Sequence, residues 1–251
     1  MLSVRFFLAA VLIWSVIACG RRPVKAARRE LGTYFLLALS GYGAATTCLF
    51  GALRLIPASL ASMLLYTHPA LVAVGEVFFY RRPLTAVKGA ALLLSAAGLA
   101  LVLGNITGSV DWRGVVLALG SSVAYGGYLL LCRRVLGAGQ SLLTTGYVLG
   151  FAALGFGLYA LLSGGLSFAF QPAGWLWTAA LAVVSTVMAI ILLYAALTRI
   201  EAGRAAIIST LEPVLTVVVS ALVFHETIGP WQVGGGLLVL AAILVLQLRS
   251  A

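Results

Sequence analysis

Apolar residues in this chain neither alternate with polar ones nor recur on a single helical face. They come in long blocks separated by short polar stretches. Nine blocks stand out, at about residues 3–19, 32–53, 58–79, 84–103, 112–131, 141–162, 174–197, 203–224 and 231–248. A helix rises 1.5 Å per residue and needs about 20 apolar residues to cross a hydrocarbon core ~30 Å thick. The blocks have that length. The period-2 alternation of a membrane barrel is absent. Pro57, Pro83, the 105–111 and 137–139 stretches, Gln171-Pro172 and Gly229-Pro230 break the blocks. The pattern predicts an all-α fold, a polytopic transmembrane helix bundle with nine spans.

Composition adds a reason for the lipid. The 251 residues are 63% hydrophobic and 9% charged, whereas a soluble domain carries about 25% charged residues to coat its surface. The first block lacks the cationic lead and small-residue cleavage site of a signal peptide, so it reads as a span. Cys19, Cys48 and Cys132 lie within or at the ends of apolar runs without CxxC spacing. They read as apolar fillers rather than a disulfide framework or zinc site.

The net charge of +10 raises the question of a nucleic-acid partner, and the positions of the cations answer it. They sit in loops between spans, with no aromatic-interleaved basic patch, so no nucleic acid is expected. Counted by alternate loops, one side holds Arg21, Arg22, Lys25, Arg28, Arg29, Arg81, Arg82, Lys88, Arg133, Arg134, Arg199, Arg204 and Arg249. The other holds only Arg5, Arg54 and Arg113. The positive-inside rule puts the richer side in the cytoplasm. The C-terminus is then cytoplasmic, in a multi-pass protein of a plasma or inner membrane. The Asn105-Ile106-Thr107 sequon is given no function.

A shift of 144 residues lays Ala52, Leu53, Ile56, Ala58 and Ala61 on Ala196, Leu197, Ile200, Ala202 and Ala205, and Pro69 on Pro213. This moves one span onto another five spans later. Five is odd, so the two copies thread the bilayer in opposite directions. Inverted repeats of this kind recur in secondary transporters. The first repeat covers 1–104 with four helices and the second 112–251 with five. The favoured expectation is that the missing first helix lies upstream of Met1; the alternative is a true nine-helix variant.

The stretch Leu211-Glu212-Pro213-Val214 to Phe224-His225-Glu226-Thr227-Ile228, followed by Gly234-Gly235-Gly236-Leu237, resembles the EamA-like branch of the drug/metabolite transporter superfamily. The Glu-Pro of the ninth helix is present. His225-Glu226-Thr227-Ile228 stands where Gly-Glu-Arg-Leu is usual, and only Glu226 is kept. In the first half His68-Pro69 takes the Glu-Pro place and Arg82 the Glu place. Ser3-Val4-Arg5-Phe6 resembles the start of the family's second helix. The resemblance implies two five-helix inverted repeats around a central cavity, moving metabolites, amino acids or drugs.

Transport requires polar groups at mid-membrane and helices that bend around them. Glu212 lies near the centre of its block, where an ionised carboxylate costs about 2.5–3.5 kcal/mol. It suits a proton or cation carrier, or a structural carboxyl capping backbone beside Pro213. His68 stands at matching depth, as a titrating group or as a neutral histidine bonded to a neighbour such as Thr67 or Tyr66. Pro69 and Pro213 each remove a backbone donor and clash with the carbonyl four residues earlier. They read as cavity-lining hinges or as fixed bends. Tyr42, Tyr66, Tyr125, Tyr128, Tyr147 and Trp14 stand within spans and could stack on a substrate or simply pack. Trp112, Trp175, Trp177 and Trp231 read as belt residues. Glu76, near a span end beside Arg81, is expected to snorkel.

The candidate substrate or proton site is therefore Glu212, His68, Tyr66, Tyr125, Tyr42 and Trp14, with Pro69 and Pro213 as hinges. No catalytic residue, metal site or cofactor is indicated: GxxxxGK[ST], HExxH and GxSxG are all missing. The expected partners are a small-molecule substrate, protons as coupling ion and lipid, with the chain a monomer or homodimer. The competing classes are a non-transporting scaffold and an integral membrane enzyme.

Overall fold

The computed structural model describes residues 2–19, 28–103, 111–136, 141–162, 172–224 and 229–248, and every regular element among them is helical. Six stretches are long and apolar enough to cross a membrane: Glu30–Ala52, Leu60–Tyr80, Trp112–Val135, Leu142–Leu162, Gly174–Leu197 and Ala202–Val223. Ser3–Cys19, Ala86–Val102 and Pro230–Val245 are shorter apolar helices. The helices gather into two compact units, residues 1–44 with 131–199 and residues 45–130 with 200–251. Each unit takes helices from both halves of the chain, so compactness does not follow the division at residues 104–112.

The first unit centres on α1 (Leu2–Cys19), which packs along α8 (Ser141–Leu162). Phe6, Ala9, Ala10, Ile13 and Ile17 of α1 are buried, at the 3.6-residue spacing of one helix face. Phe6 stacks on Phe156, ring centroids 5.1 Å apart. The next residue, Phe7, is 62% exposed and faces outward, where lipid would cover it. In this unit α2 (Arg28–Leu37) runs into a π-helical stretch, Ala38–Ala44, and α9 (Pro172–Ala180) runs into another, Leu181–Met188, before α10 (Ala189–Leu197).

The second unit contains α3 (Ala45–Ala52), α4 (Ala58–Leu65), α5 (His68–Tyr80), α6 (Ala86–Leu103), α7 (Trp112–Val135) as far as Leu130, α11 (Ala202–Ser209), α12 (Leu211–Phe224) and α13 (Pro230–Leu248). Helices α6 and α13 lie against each other along their length. A Cβ added to Gly98 would stand 2.6 Å from the carbonyl oxygen of Gly235, and one on Gly235 would stand 2.5 Å from that of Gly98. Only glycine permits this approach, the usual device for packing helices in lipid.

The offset of 144 residues reappears in the elements themselves. Moved by it, α4 falls on α11, α5 falls within one residue of α12, and the first π-helical stretch falls on the second. The elements thus break and widen at matching places.

Candidate functional site

The break between α4 and α5 begins with chemistry. Pro69 has no N–H, so the Leu65 carbonyl loses its helical donor. His68 supplies one: its Nδ1 lies 3.0 Å from the Leu65 oxygen, and a carbonyl can only accept. The Thr67 hydroxyl donates to the Leu64 carbonyl at 2.7 Å. The same sealing recurs where α11 ends, with Thr210 Oγ1 donating to the Ile207 carbonyl at 2.6 Å.

Neither proline lies inside a continuous helix. Pro69 occupies the first turn of α5 and Pro213 is the third residue of α12, positions where a backbone N–H has no intrahelical partner in any case. The chain breaks instead of bending, and each break opens a new helix N-terminus.

Four candidate residues meet in the second unit. His68 is 1% exposed. Its Nε2 lies 3.3 Å from Ser209 Oγ, whose own proton goes to the Ala206 carbonyl at 2.7 Å. The Tyr125 ring meets His68 edge-on at 4.9 Å, and Tyr66 lies 5.9 Å from it. The Tyr66 hydroxyl donates to the Glu212 carboxylate. Glu212 is exposed and lies in the first turn of α12. Tyr128 extends the group, stacked 5.9 Å from Tyr125. Thr67 and Ser122 hydroxyls add a polar link of 2.8 Å.

Trp14 belongs to the first unit. It meets Tyr147 edge-on at 5.1 Å, and Tyr34 stacks on the other side of Tyr147 at 5.4 Å. Gly146 and Gly150 face Trp14, so that interface is also a packing surface. The Tyr42 side chain, and all of His225 and Glu226, lie outside the described residues.

Sequence reasoning missed Ser209 as a partner, although it stands just before the Thr210 break. It also misread Glu76. That carboxylate does not snorkel: it is 3% exposed. It accepts from Lys88 Nζ at 3.1 Å and from the Gly203 backbone N–H at 2.9 Å. Gly203 is in the first turn of α11, so Glu76 caps that helix from another one. A side chain at Gly203 would collide with the carboxylate, 2.6 Å from its Cβ position. Lys88 also pairs with Glu201, which pairs with Arg82. Burial alone would raise the Glu201 carboxyl. The Lys88 hydrogen bond and the charges of Lys88, Arg82 and Arg204 outweigh it and hold that group below its ordinary range.

Arg5, placed by sequence among the outer-loop cations, reaches instead into the first unit. Its Nε donates to Thr186 Oγ1 at 2.7 Å and its Nη2 to Ser185 Oγ at 2.9 Å. Ser185 and Thr186 are the middle residues of the 24-residue span Gly174–Leu197. Among the described residues no group of three or more His, Cys, Asp or Glu side chains could hold a metal ion.

The sequence profile of the EamA-like transporter family matches the chain twice, over residues 1–104 and 112–248. The chain belongs to the EamA-like transporter family. Members of this family are membrane transporters of small molecules rather than enzymes, and the multi-pass architecture agrees. No protein of curated function matches the sequence. Among solved structures, a crystal structure of a protein superposes with a TM-score of 0.84 at 19% identity, covering 99% of this chain and 86% of the other. At that identity the likeness concerns fold alone.

Proposed function

We propose that this EamA-like protein is a secondary transporter that carries small metabolites, amino acids or drugs by alternating access. The observation that supports it best is the joining of two broken helices at ionisable residues. His68 of α5 reaches Ser209, which ends α11, and Tyr66, which follows α4, reaches Glu212 of α12. Broken helices with their N-termini at mid-membrane form the binding sites of many secondary transporters. An ionisable group at that depth is functional by default.

In this reading the two repeats, 1–104 and 112–251, cross the membrane in opposite senses, in nine spans. The Arg-rich loops and the C-terminus face the cytoplasm, and the chain acts as a monomer or homodimer. Glu212 exchanges a proton or binds a cationic group. Tyr66 bonds its carboxylate, and Tyr125 and His68 line the same place with rings. Pro69 and Pro213 mark hinges, because the breaks they cause leave two half-helices free to rotate about one or two residues.

The test is reconstitution. A thermal-shift screen of purified protein against amino acids, nucleosides, sugars and cationic drugs identifies a ligand. Proteoliposomes then show saturable counterflow of it. Glu212→Gln abolishes uptake driven by a pH gradient and spares binding. Full pH-driven uptake by that variant would remove Glu212 from coupling. A ligand that binds without counterflow would favour a scaffold.

A further inference from the structure

We infer that Glu76, Lys88, Arg82 and Glu201 form a one-sided lock that holds α5 to α11 and so biases the protein toward one of its two alternating conformations. The inference deepens the transporter reading and rests on it for what a change of conformation would accomplish.

The two broken helices touch at their breaks, where His68 Nε2 lies 3.3 Å from Ser209 Oγ. Of the four half-helices, α5 and α11 pack together. Exchanging the repeats places α5 on α12 and α11 on α4. The counterpart of the pair α5 with α11 is therefore the pair α12 with α4. In a carrier built of inverted repeats, the second conformation is the first with the two halves exchanged. To reach it, α11 must part from α5.

Buried charge opposes that step. Glu76 of α5 is 3% exposed, and its Oε1 accepts the Gly203 N–H of α11 at 2.9 Å. An N–H in the first turn of a helix has no acceptor within that helix, so it depends on this carboxylate. Lys88 of α6 stands 3.1 Å from Glu76 Oε2 and also pairs with Glu201, the residue before α11. Arg82, between α5 and α6, pairs with Glu201 as well. Withdrawing α11 would take Glu201 from both cations and the N–H from Glu76. Charge-assisted bonds are the strong ones, and leaving their partners unmet in a low dielectric is costly.

The sequence does not repeat this lock. At the repeat offset Glu76 answers to Ser220, Lys88 to Gln232, Arg82 to Glu226, Glu201 to Pro57 and Gly203 to Ser59. Of the five counterparts only Glu226 bears a charge, so the same positions cannot rebuild the cluster between α4 and α12. One conformation is tied by ion pairs and its mirror image lacks them. On the proposed topology the tied end is the cytoplasmic one.

The experiment measures the distance between nitroxide labels at Ala58→Cys and Leu222→Cys, exposed residues of α4 and α12. It uses the full chain in lipid nanodiscs, with Cys19, Cys48 and Cys132 replaced by alanine. One distance dominates while the lock is intact. Glu76→Gln and Glu201→Gln each raise the share of a second, shorter distance about tenfold, the worth of one charge-assisted hydrogen bond. Arg81→Gln, a neighbouring exposed arginine, leaves the distribution unchanged. Amide hydrogen exchange of the unsubstituted protein keeps the test valid if a variant does not fold. Gly203 and Ser59 hold matching positions in α11 and α4, and Gly203 exchanges about tenfold slower or more, once intrinsic rates are removed. The inference is overturned if either Glu→Gln variant keeps the original distribution, if Arg81→Gln shifts it as far, or if Gly203 exchanges as fast as Ser59. None of these readouts depends on turnover. Absent counterflow would sink the transporter reading and leave the lock, while counterflow with unshifted distances would sink the lock alone.

Discussion

Adding a single methyl group at Gly98 tests the closest helix contact in the second unit. The Cβ of Gly98→Ala would lie 2.6 Å from the Gly235 carbonyl oxygen, 2.8 Å from Val239 Cγ2 and 3.0 Å from the Val239 nitrogen. Two of these three atoms are backbone and cannot rotate aside. Helices α6 and α13 must therefore separate, loosening contacts along both. Overpacking of this kind costs about 1–3 kcal/mol, and the backbone contacts argue for the upper half of that range. Gly89 lies on the same helix, and its Cβ would meet nothing within 4 Å. There Gly→Ala carries only the helix-propensity gain, up to about 1 kcal/mol. The two substitutions are chemically identical and should move stability in opposite directions. Thermal unfolding in detergent should show Gly98→Ala melting several degrees below wild type and Gly89→Ala at or above it. Gly235→Ala should resemble Gly98→Ala. The double variant should lose less than the sum, because helices already parted admit the second methyl more cheaply. If Gly98→Ala melts with wild type, the close approach is not what holds these helices.

Further outcomes follow from the buried charges and the broken helices. Glu76→Ala strands Lys88 and the Gly203 N–H, but Glu201 still faces Lys88. The loss should be about 3 kcal/mol, the low end for breaking a buried pair, and Glu76→Ala with Lys88→Met should recover part of it in the same melts. Glu201 is held below its ordinary range, so its ion pairs stabilise the fold at neutral pH and are lost as pH falls through and below the carboxylate range. Glu201→Gln should flatten the acid limb of the melting-temperature profile, and an unchanged limb would exclude this role. Ser209→Ala removes the hydroxyl beside His68 Nε2 and should cost about 0.5–1.5 kcal/mol, the net worth of one hydrogen bond. If His68→Phe melts above Ser209→Ala, replacing the polar group has proved cheaper than orphaning it.

Much of the architecture was legible in the apolar blocks, because lipid demands length and low polarity and both are plain in a sequence. The two breaks were signalled by Pro69 and Pro213, and the cluster of Tyr66, His68, Tyr125 and Glu212 by polar residues halfway along blocks. What could not be read was which side of each helix faces inward. In water an apolar side chain points to the core, but in lipid both faces are apolar. Phe6 and Phe7 are adjacent and identical, yet one is buried and the other exposed. Depth failed for the same reason. Arg5 stands near the start of its block and was assigned to a loop, but the helix packs so that its side chain reaches mid-span. Glu76 stands one turn from an edge, where snorkelling is the default, and only the approach of α11, far along the chain, gives it a buried partner. The π-helical stretches have no residue code at all. They follow from packing demands that no local pattern records.

The reach of Glu76 to Gly203, across 127 positions of sequence, bears on how the protein is made. Glu76 and Lys88 leave the ribosome close together and can enter the bilayer as a neutralised pair, which spares each the cost of inserting a bare charge. The N-terminus of α11 emerges much later and finds its cap already waiting in the membrane. The early helices thus act as a template for the late ones, and a chain interrupted before residue 203 would hold an acceptor with no helix to receive.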